Sequence, residues 1–252
     1  MRPWHLLGGV TLMNLFGAGV AWALADDLVT PAAQGAIGWS ALWGGAVLTV
    51  CQAALCLLRP GRLAHVLLLR AGIALSLVWF FVCAILPLWW MDEVDQPVQW
   101  FVLLSLAAAG GAGAVVGACR FQASWLGSGR AALARHYDRE RGLLDWDALI
   151  RQLARRAGAG APSLDRTRAA VIAAAIVFML VAPGYVFGAA AAAVIVWGGL
   201  IAAGLGWSTA LIGSTLAQAA ALWRLERHDG VRLAPYPEEM PRERARQGQR
   251  RR

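Results

Sequence analysis

The segment Ala169–Trp223 reads AAVIAAAIVFMLVAPGYVFGAAAAAVIVWGGLIAAGLGWSTALIGSTLAQAAALW and contains no charged residue. A membrane-spanning helix needs about 20 consecutive, mostly apolar residues, so this segment suits two spans joined by a turn. Proline and glycine interrupt helices, and Pro183–Gly188 (PGYVFG) is therefore the expected turn, with Gly198–Gly199 as the alternative. The first choice leaves a long last helix, which is expected to bend near Gly204 or Gly206.

The preceding part of the chain repeats this apolar pattern. Four further runs of span length are Leu6–Leu24, Ile37–Leu58, Val66–Trp90 and Trp100–Cys119. The third run contains one charge, Arg70, close enough to its start for the side chain to reach the interface. The sequence therefore predicts an all-α fold, a polytopic membrane bundle of about six helices surrounded by the lipid bilayer.

Composition agrees with this class and excludes an ordinary soluble domain. The 252 residues are 59% hydrophobic and only 15% charged, with 13 tryptophans, whereas soluble domains carry about a quarter charged residues. A net charge of +8 could suit nucleic acid, but the charges stand in short segments between apolar runs, so no nucleic-acid partner is expected. All 23 basic residues are arginine, whose codons are GC-rich, which predicts a GC-rich bacterial genome.

The placement of arginine predicts the orientation. The connections after the first and third spans contain acidic residues and no arginine, and every arginine lies in the remaining segments. Because basic loops stay inside, both termini are expected in the cytoplasm and the protein in the bacterial inner membrane. Tryptophans of the expected outer interface are Trp22, Trp39, Trp43, Trp89, Trp90 and Trp100, and those of the inner one are Trp4, Trp125 and Trp223.

These boundaries divide the chain into four regions. Residues 1–122 are a four-helix membrane segment, 123–168 a cytoplasmic amphipathic helical segment, 169–223 a two-helix membrane hairpin, and 224–252 a basic tail expected to be disordered. One alternative concerns the first span, because Ala23–Asp27 (ALADD) resembles a signal-peptidase site. The flanking sequence has only Arg2 before the apolar run and Asn14 inside it, so a retained span is favoured and cleavage of residues 1–25 stays open.

Polar groups within the spans are neutral. No Asp, Glu or His lies in the body of a span, which argues against a transporter with a buried carboxylate and against an intramembrane metalloprotease. The candidate intramembrane polar groups are Asn14, Gln52 and Gln218. Hydrogen bonding between helices is the favoured interpretation, and a polar cavity lined by Asn14, Gln52 and the last helix is the alternative.

Small residues spaced four apart allow helix backbones to approach closely. Gly113 and Gly117 form such a GxxxG pair, for which packing within one bundle is favoured over a dimer interface. The cysteines lack the C-x-x-C spacing of a redox or metal site and are expected to pack as small apolar residues. The four are Cys51, Cys56, Cys83 and Cys119. Neither a cofactor nor a metal is expected.

The cytoplasmic segment Arg130–Arg156 is predicted to form two short helices divided by Gly142. In the second helix, Asp145 is the expected N-cap, and Asp147–Arg151 is an i,i+4 pair. A candidate interaction stripe recurs at helical spacing and consists of Trp146, Leu149, Ile150 and Leu153. This stripe could lie on the inner leaflet, dock under the protein's own bundle, or bind a partner.

The first of these helices, predicted over Arg130–Arg141, would place His136 and Glu140 on one face. That pair could be half of a metal site or an acid–base pair, but a solvated helix face is the favoured interpretation. Three functions stay open. The first is a membrane subunit that acts by binding another membrane protein (a scaffold, assembly factor, secretion-system accessory or immunity-type protein). The others are a passive channel or uncoupled carrier for a neutral or lipid-like solute, and an enzyme with a site at the inner interface that uses His136, Asp138 or Glu140.

Overall fold

The structure is a computed structural model that describes residues 3–57, 63–91, 94–138, 142–160 and 189–235. The helices are α1 (Pro3–Leu28), α2 (Pro31–Leu57), α3 (Leu63–Ile85), α4 (Gln96–Ser124), α5 (Arg130–His136), α6 (Trp146–Gly160) and α7 (Ala189–Asp229). A 3-10 turn, Leu86–Trp90, extends α3, and a π turn, Trp125–Gly129, extends α4 past the predicted boundary at residue 122. Three two-residue strands are β1 (Tyr137–Asp138), β2 (Leu143–Leu144) and β3 (Ala234–Pro235).

Five of these helical stretches are long and apolar enough to cross a membrane, which confirms the helical, multi-span architecture. They are Leu7–Asp26, Pro31–Leu57, Leu63–Trp90, Gln96–Gly129 and Val194–Asp229. The predicted fifth span and the turn Pro183–Gly188 fall outside the described residues. The alternative turn at Gly198–Gly199 is wrong, because α7 stays helical through both glycines and also through Gly204 and Gly206. Gly198 lies against the Val102 side chain, so its missing side chain serves close packing rather than a turn.

The bundle has two parts that meet at α7. Helices α1, α2 and α3 pack on one another, and α7 packs on both α3 and α4. The α4–α7 contacts join Val102 with Gly198 near one end and Ala114 with Gly213 further along. Because the numbers rise together in both helices, α4 and α7 run in the same direction.

The GxxxG pair of α4 lies in this parallel interface. A methyl group on Gly113 would overlap the carbonyl oxygen of Gly206, and one on Gly117 would overlap the carbonyl oxygen of Ala210. Glycine at both positions therefore allows backbone-to-backbone contact. These two residues pack within the chain.

A small folded unit, which we call the cap, covers the end of the bundle where α3 begins and α4 and α7 end. It consists of α5, β1, β2, α6 and β3. Strand β2 pairs with β1 antiparallel and with β3 parallel. Gly142, the residue directly before β2, has a φ of 62°, a left-handed conformation that favours glycine.

Two predictions in this region are corrected. The helix predicted over Arg130–Arg141 ends at His136, because Tyr137–Asp138 forms a ladder with β2 instead. The tail predicted to be disordered from residue 224 is helical to Asp229 and then forms β3. Residues 236–252 lie outside the described part of the chain. The expected division of the segment at Gly142 is confirmed, and so is the N-cap, since Asp145 Oδ1 accepts a hydrogen bond from the Ala148 N–H at 3.0 Å.

Candidate functional site

The apolar stripe of α6 is buried inside the protein. Trp146, Leu149 and Leu153 are each at most 3% exposed, and Ile150 packs against the same cluster. The other fully buried members of this cluster are Leu63, Leu67, Phe121, Ala132, Leu144, Leu222 and Leu233. They include residues from the ends of α3, α4 and α7, so α6 docks under the protein's own bundle, one of the three roles considered for the stripe.

Trp146 also has a polar anchor in this interface. Its indole N–H donates to Gln218 Oε1 at 3.1 Å, and Gln218 Nε2 donates to the Ser214 hydroxyl at 3.2 Å. The rings of Phe121 and Trp125 lie 6.4 and 6.1 Å from the Trp146 ring. A buried tryptophan needs such a partner for its N–H, and Gln218, a candidate intramembrane polar group, supplies it at the junction of α7 and the cap.

An ion pair also joins the cap to the bundle. Arg70 Nη2 lies 3.0 and 3.3 Å from the two carboxylate oxygens of Asp147. The expected partner of Asp147 was Arg151 on the same helix, and the structure instead pairs it with a residue of α3. The short distance of Arg70 from the start of α3 makes this contact possible.

The chain after α7 closes the cap. Leu233 is 1% exposed and belongs to the same buried cluster. Its N–H donates to Glu226 Oε1 at 2.9 Å, and its carbonyl oxygen accepts from the Leu63 N–H at 3.1 Å. The Ala234 N–H donates to the Gly142 carbonyl oxygen at 3.0 Å. We call residues 230–235 the strap, because they bind the start of α3 and the β1–β2 hairpin together.

The residues considered for catalysis join elements of the cap. His136 Nε2 lies 2.8 Å from Gln152 Oε1, which links α5 to α6. The Tyr137 hydroxyl donates to Asp229 Oδ2 at 2.9 Å, and Asp138 has an intramolecular partner. Glu140 lies outside the described residues. Among the residues that are described, no three His, Cys, Asp or Glu side chains are grouped to hold a metal ion.

The acidic and basic side chains in and beside the cap differ in whether they are paired within the chain. Each described carboxylate has an intramolecular partner: Asp138, Asp145, Asp147, Glu226 and Asp229. Seven arginines in and beside the cap are exposed: Arg120, Arg135, Arg151, Arg155, Arg224, Arg227 and Arg232. Within the described part of the chain, none of these seven forms an ion pair. The surface of the cap is therefore basic.

The intramembrane amides do not meet in one cavity. Asn14 and Gln52, 2% and 5% exposed, lie among α1, α2 and α3. Asn14 Nδ2 donates to the Gly45 carbonyl oxygen and the Thr49 hydroxyl, and Gln52 Nε2 donates to the Leu69 carbonyl oxygen. Gln218 lies on α7 against the cap. These bonds match the expected interhelical role of the amides, and the last helix is not part of the Asn14–Gln52 site.

Comparison with known families, with curated proteins and with solved structures finds no match. The functional argument therefore rests on the geometry of this chain.

Two features that stabilise the cap, one buried residue and one hydrogen bond, could not be predicted from the sequence. Leu233 is one apolar residue in a polar tail, and the Tyr137–Asp229 bond joins residues 92 positions apart. Only the fold brings each of these residues to its partner.

Proposed function

We propose that the chain crosses a bacterial inner membrane six times, with the cap and both termini in the cytoplasm. The parallel direction of α4 and α7 supports the count. Since α4 ends at the cap and α7 begins at the opposite end, the sixth span is assigned to the chain between Gly160 and Ala189. Residues 169–188 are uncharged and long enough for one crossing.

The distribution of side chains supports this orientation. Every arginine among the described residues lies in the cap or at the cap end of a helix, which is the pattern of a cytoplasmic face. At the other end, tryptophans suited to an interface are exposed: Trp22, Trp39, Trp43, Trp89, Trp90 and Trp100. The burial of Ala21 and Ala25 in the bundle, both 0% exposed, supports retention of α1 in the mature protein.

The protein acts by binding another membrane protein and not by catalysis, as a scaffold, assembly factor, secretion-system accessory or immunity-type subunit. One observation carries this proposal: the described carboxylates of the cap have partners within the chain, whereas seven arginines in and beside it are exposed and form no ion pair among the described residues. Such a surface attracts an acidic surface of a partner and steers its approach. The partner therefore carries a cytoplasmic acidic patch.

The position of α6 favours a protein over the membrane surface. Its apolar stripe faces the bundle, so the opposite side, with Arg151 and Arg155 one turn apart, faces the cytoplasm and not the bilayer. Two arginines at i and i+4 are neighbours on a helix surface and can bind the same acidic segment. This pair is the proposed centre of the docking surface.

The geometry gives less support to the alternative functions. A passive channel needs a polar path across the bundle, whereas Gln218 is separated from Asn14 and Gln52. An enzyme at the inner interface needs side chains free to act, whereas His136 and Asp138 have intramolecular partners.

Crosslinking in native membranes, followed by purification and quantitative mass spectrometry, tests the proposal. The wild type, the charge-reversal variant Arg151→Glu/Arg155→Glu and the charge-preserving variant Arg151→Lys/Arg155→Lys are compared at equal expression. We expect one protein with an acidic cytoplasmic segment to be recovered with the wild type and the lysine variant, and lost with the glutamate variant. Recovery of the same proteins with all three variants, or of no reproducible protein, rejects the proposal.

A further inference from the structure

Three buried side-chain atoms in the described residues have no hydrogen-bond partner: Asn14 Oδ1, Gln52 Oε1 and His65 Nε2. All three lie among α1, α2 and α3. A buried polar atom without a partner is costly, and such atoms in native proteins usually bind a water molecule. Their concentration in one three-helix group points to a shared cause.

Hydrogen bonds and helix turns connect the three residues in a line. Asn14 of α1 donates to the Thr49 hydroxyl of α2 at 3.0 Å. Gln52 lies one turn further along α2 and donates to the Leu69 carbonyl oxygen of α3 at 3.2 Å. His65 lies one turn before Leu69, towards the cap. We call this line, from His65 to Asn14, the polar seam.

The polar seam ends at Asn14. Towards the opposite end of the bundle, the facing residues of the same three helices form a buried cluster that contains no charged or amide side chain. Its members are Ala18, Ala21, Ala25, Ile37, Ala41 and Cys83. Five of them, all except Ala18, are 0% exposed. The seam is therefore closed at this end by apolar packing.

There is space for a small ligand beside Asn14. A cleft of about 260 Å³ between α1 and α2 is lined by Thr11, Asn14, Gly45 and Thr49 on its inner side, and by Leu15, Leu42, Ala46 and Val50 towards the outside of the bundle. One water occupies about 30 Å³ in the liquid. The two amide oxygens can only accept hydrogen bonds, so the ligand must be a donor, and water is the smallest one.

The Gln52 side chain is held in place by a glycine. A methyl group on Gly72 of α3 would overlap the Gln52 amide. Gly72 thus lets the amide lie between α2 and α3.

We propose that the polar seam is a hydrated crevice that binds water, and with it small neutral hydrogen-bond donors, from the cap end as far as Asn14. Water supplies the missing donors to Asn14 and Gln52 and a partner to His65. The apolar cluster beyond Asn14 ends the line of water molecules, so the crevice does not conduct across the membrane. This role is independent of the proposed docking surface.

Thiol accessibility in lipid nanodiscs tests the proposal, because a charged reagent then reaches both ends of the protein and the result does not depend on orientation. The four native cysteines are replaced by alanine, and single cysteines are introduced in the full-length chain as Gln52→Cys, Ala54→Cys and Ala21→Cys. Ala54 is exposed on the outside of α2, two residues from Gln52, and does not line the cleft. Ala21 lies in the apolar cluster.

We expect Gln52→Cys to react at least about tenfold faster than Ala54→Cys, because the reactive thiolate forms only where water is present. Ala21→Cys is expected to stay unreactive. Equal rates at positions 52 and 54 overturn the proposal, and rapid reaction at position 21 overturns the closed end. Differential labelling of the wild type gives a second measurement free of folding effects: Cys56, buried one turn from Gln52, reacts faster than the lipid-exposed Cys51 if the seam is hydrated, and no faster if it is dry.

Discussion

The guanidinium of Arg70 donates to both carboxylate oxygens of Asp147, at 3.0 and 3.3 Å, and so joins the third membrane helix to the first turn of the cap helix. The two side chains are 48% and 61% exposed, and exposed ion pairs contribute only about 0.2–1 kcal/mol. We expect a double-mutant cycle of Arg70→Ala and Asp147→Ala, measured by thermal unfolding in detergent, to give a coupling energy in that range.

The matched control is the same cycle with Arg151→Ala, since Arg151 stands four residues from Asp147 and is the partner that the sequence suggests. Its coupling to Asp147 is expected to be near zero. A larger coupling for Arg151 than for Arg70 would contradict the pairing.

Trp146 is expected to contribute most to the docking of α6. Trp146→Ala removes a buried indole, and such a truncation costs about 3–5 kcal/mol. Trp146→Phe keeps most of the ring and removes the bond to Gln218, with an expected cost of about 1 kcal/mol. Thermal unfolding and limited proteolysis of the cap measure both effects.

The control for both tryptophan variants is Arg155→Ala on the exposed side of α6, for which a change within about 0.5 kcal/mol is expected. If Arg155→Ala destabilised the protein as much as Trp146→Ala, the buried assignment of the stripe would be wrong.

The cap shows what a sequence can and cannot predict. The helical spacing of Trp146, Leu149 and Leu153 predicted an apolar face, and the Asp145 cap followed from local chemistry, because both signals lie within a few turns of one helix. What covers that face depends on residues from α3, α4 and α7, which are distant in the chain. Periodicity contains no information about such partners.

The errors have the same physical origin. Helix propensity extended the first cap helix to Arg141, but pairing of Tyr137–Asp138 with β2 ends it at His136. A polar, proline-containing composition predicted disorder from residue 224, yet burial of Leu233 orders the chain to Pro235. Asn14 and Gln52 could be singled out as polar residues in spans, whereas the bond from Gln52 to the Leu69 carbonyl oxygen depends on the packing of α3 on α2.

The strap is expected to hold the cap closed. Leu233→Ala removes a residue that is 1% exposed, and a buried leucine truncation costs about 2–5 kcal/mol. We expect faster protease cleavage in the hairpin around Gly142, because the Ala234–Gly142 bond holds that hairpin. Arg232→Ala, exposed and adjacent, is the control, and equal cleavage rates in the two variants would exclude the strap's role.

The close contact of α4 with α7 gives a test with two glycines of the same helix. Gly117→Ala places a methyl group against the Ala210 carbonyl oxygen, and overpacking of this kind costs about 1–3 kcal/mol. Gly111→Ala meets no atom within 4 Å, and because alanine favours a helix over glycine by up to about 1 kcal/mol, it is expected to leave the free energy of unfolding unchanged or raise it. Thermal unfolding in detergent at several protein concentrations measures both. If the GxxxG pair packs within the chain, the loss at Gly117 is independent of concentration; a loss that varies with concentration would place the pair in a dimer interface instead.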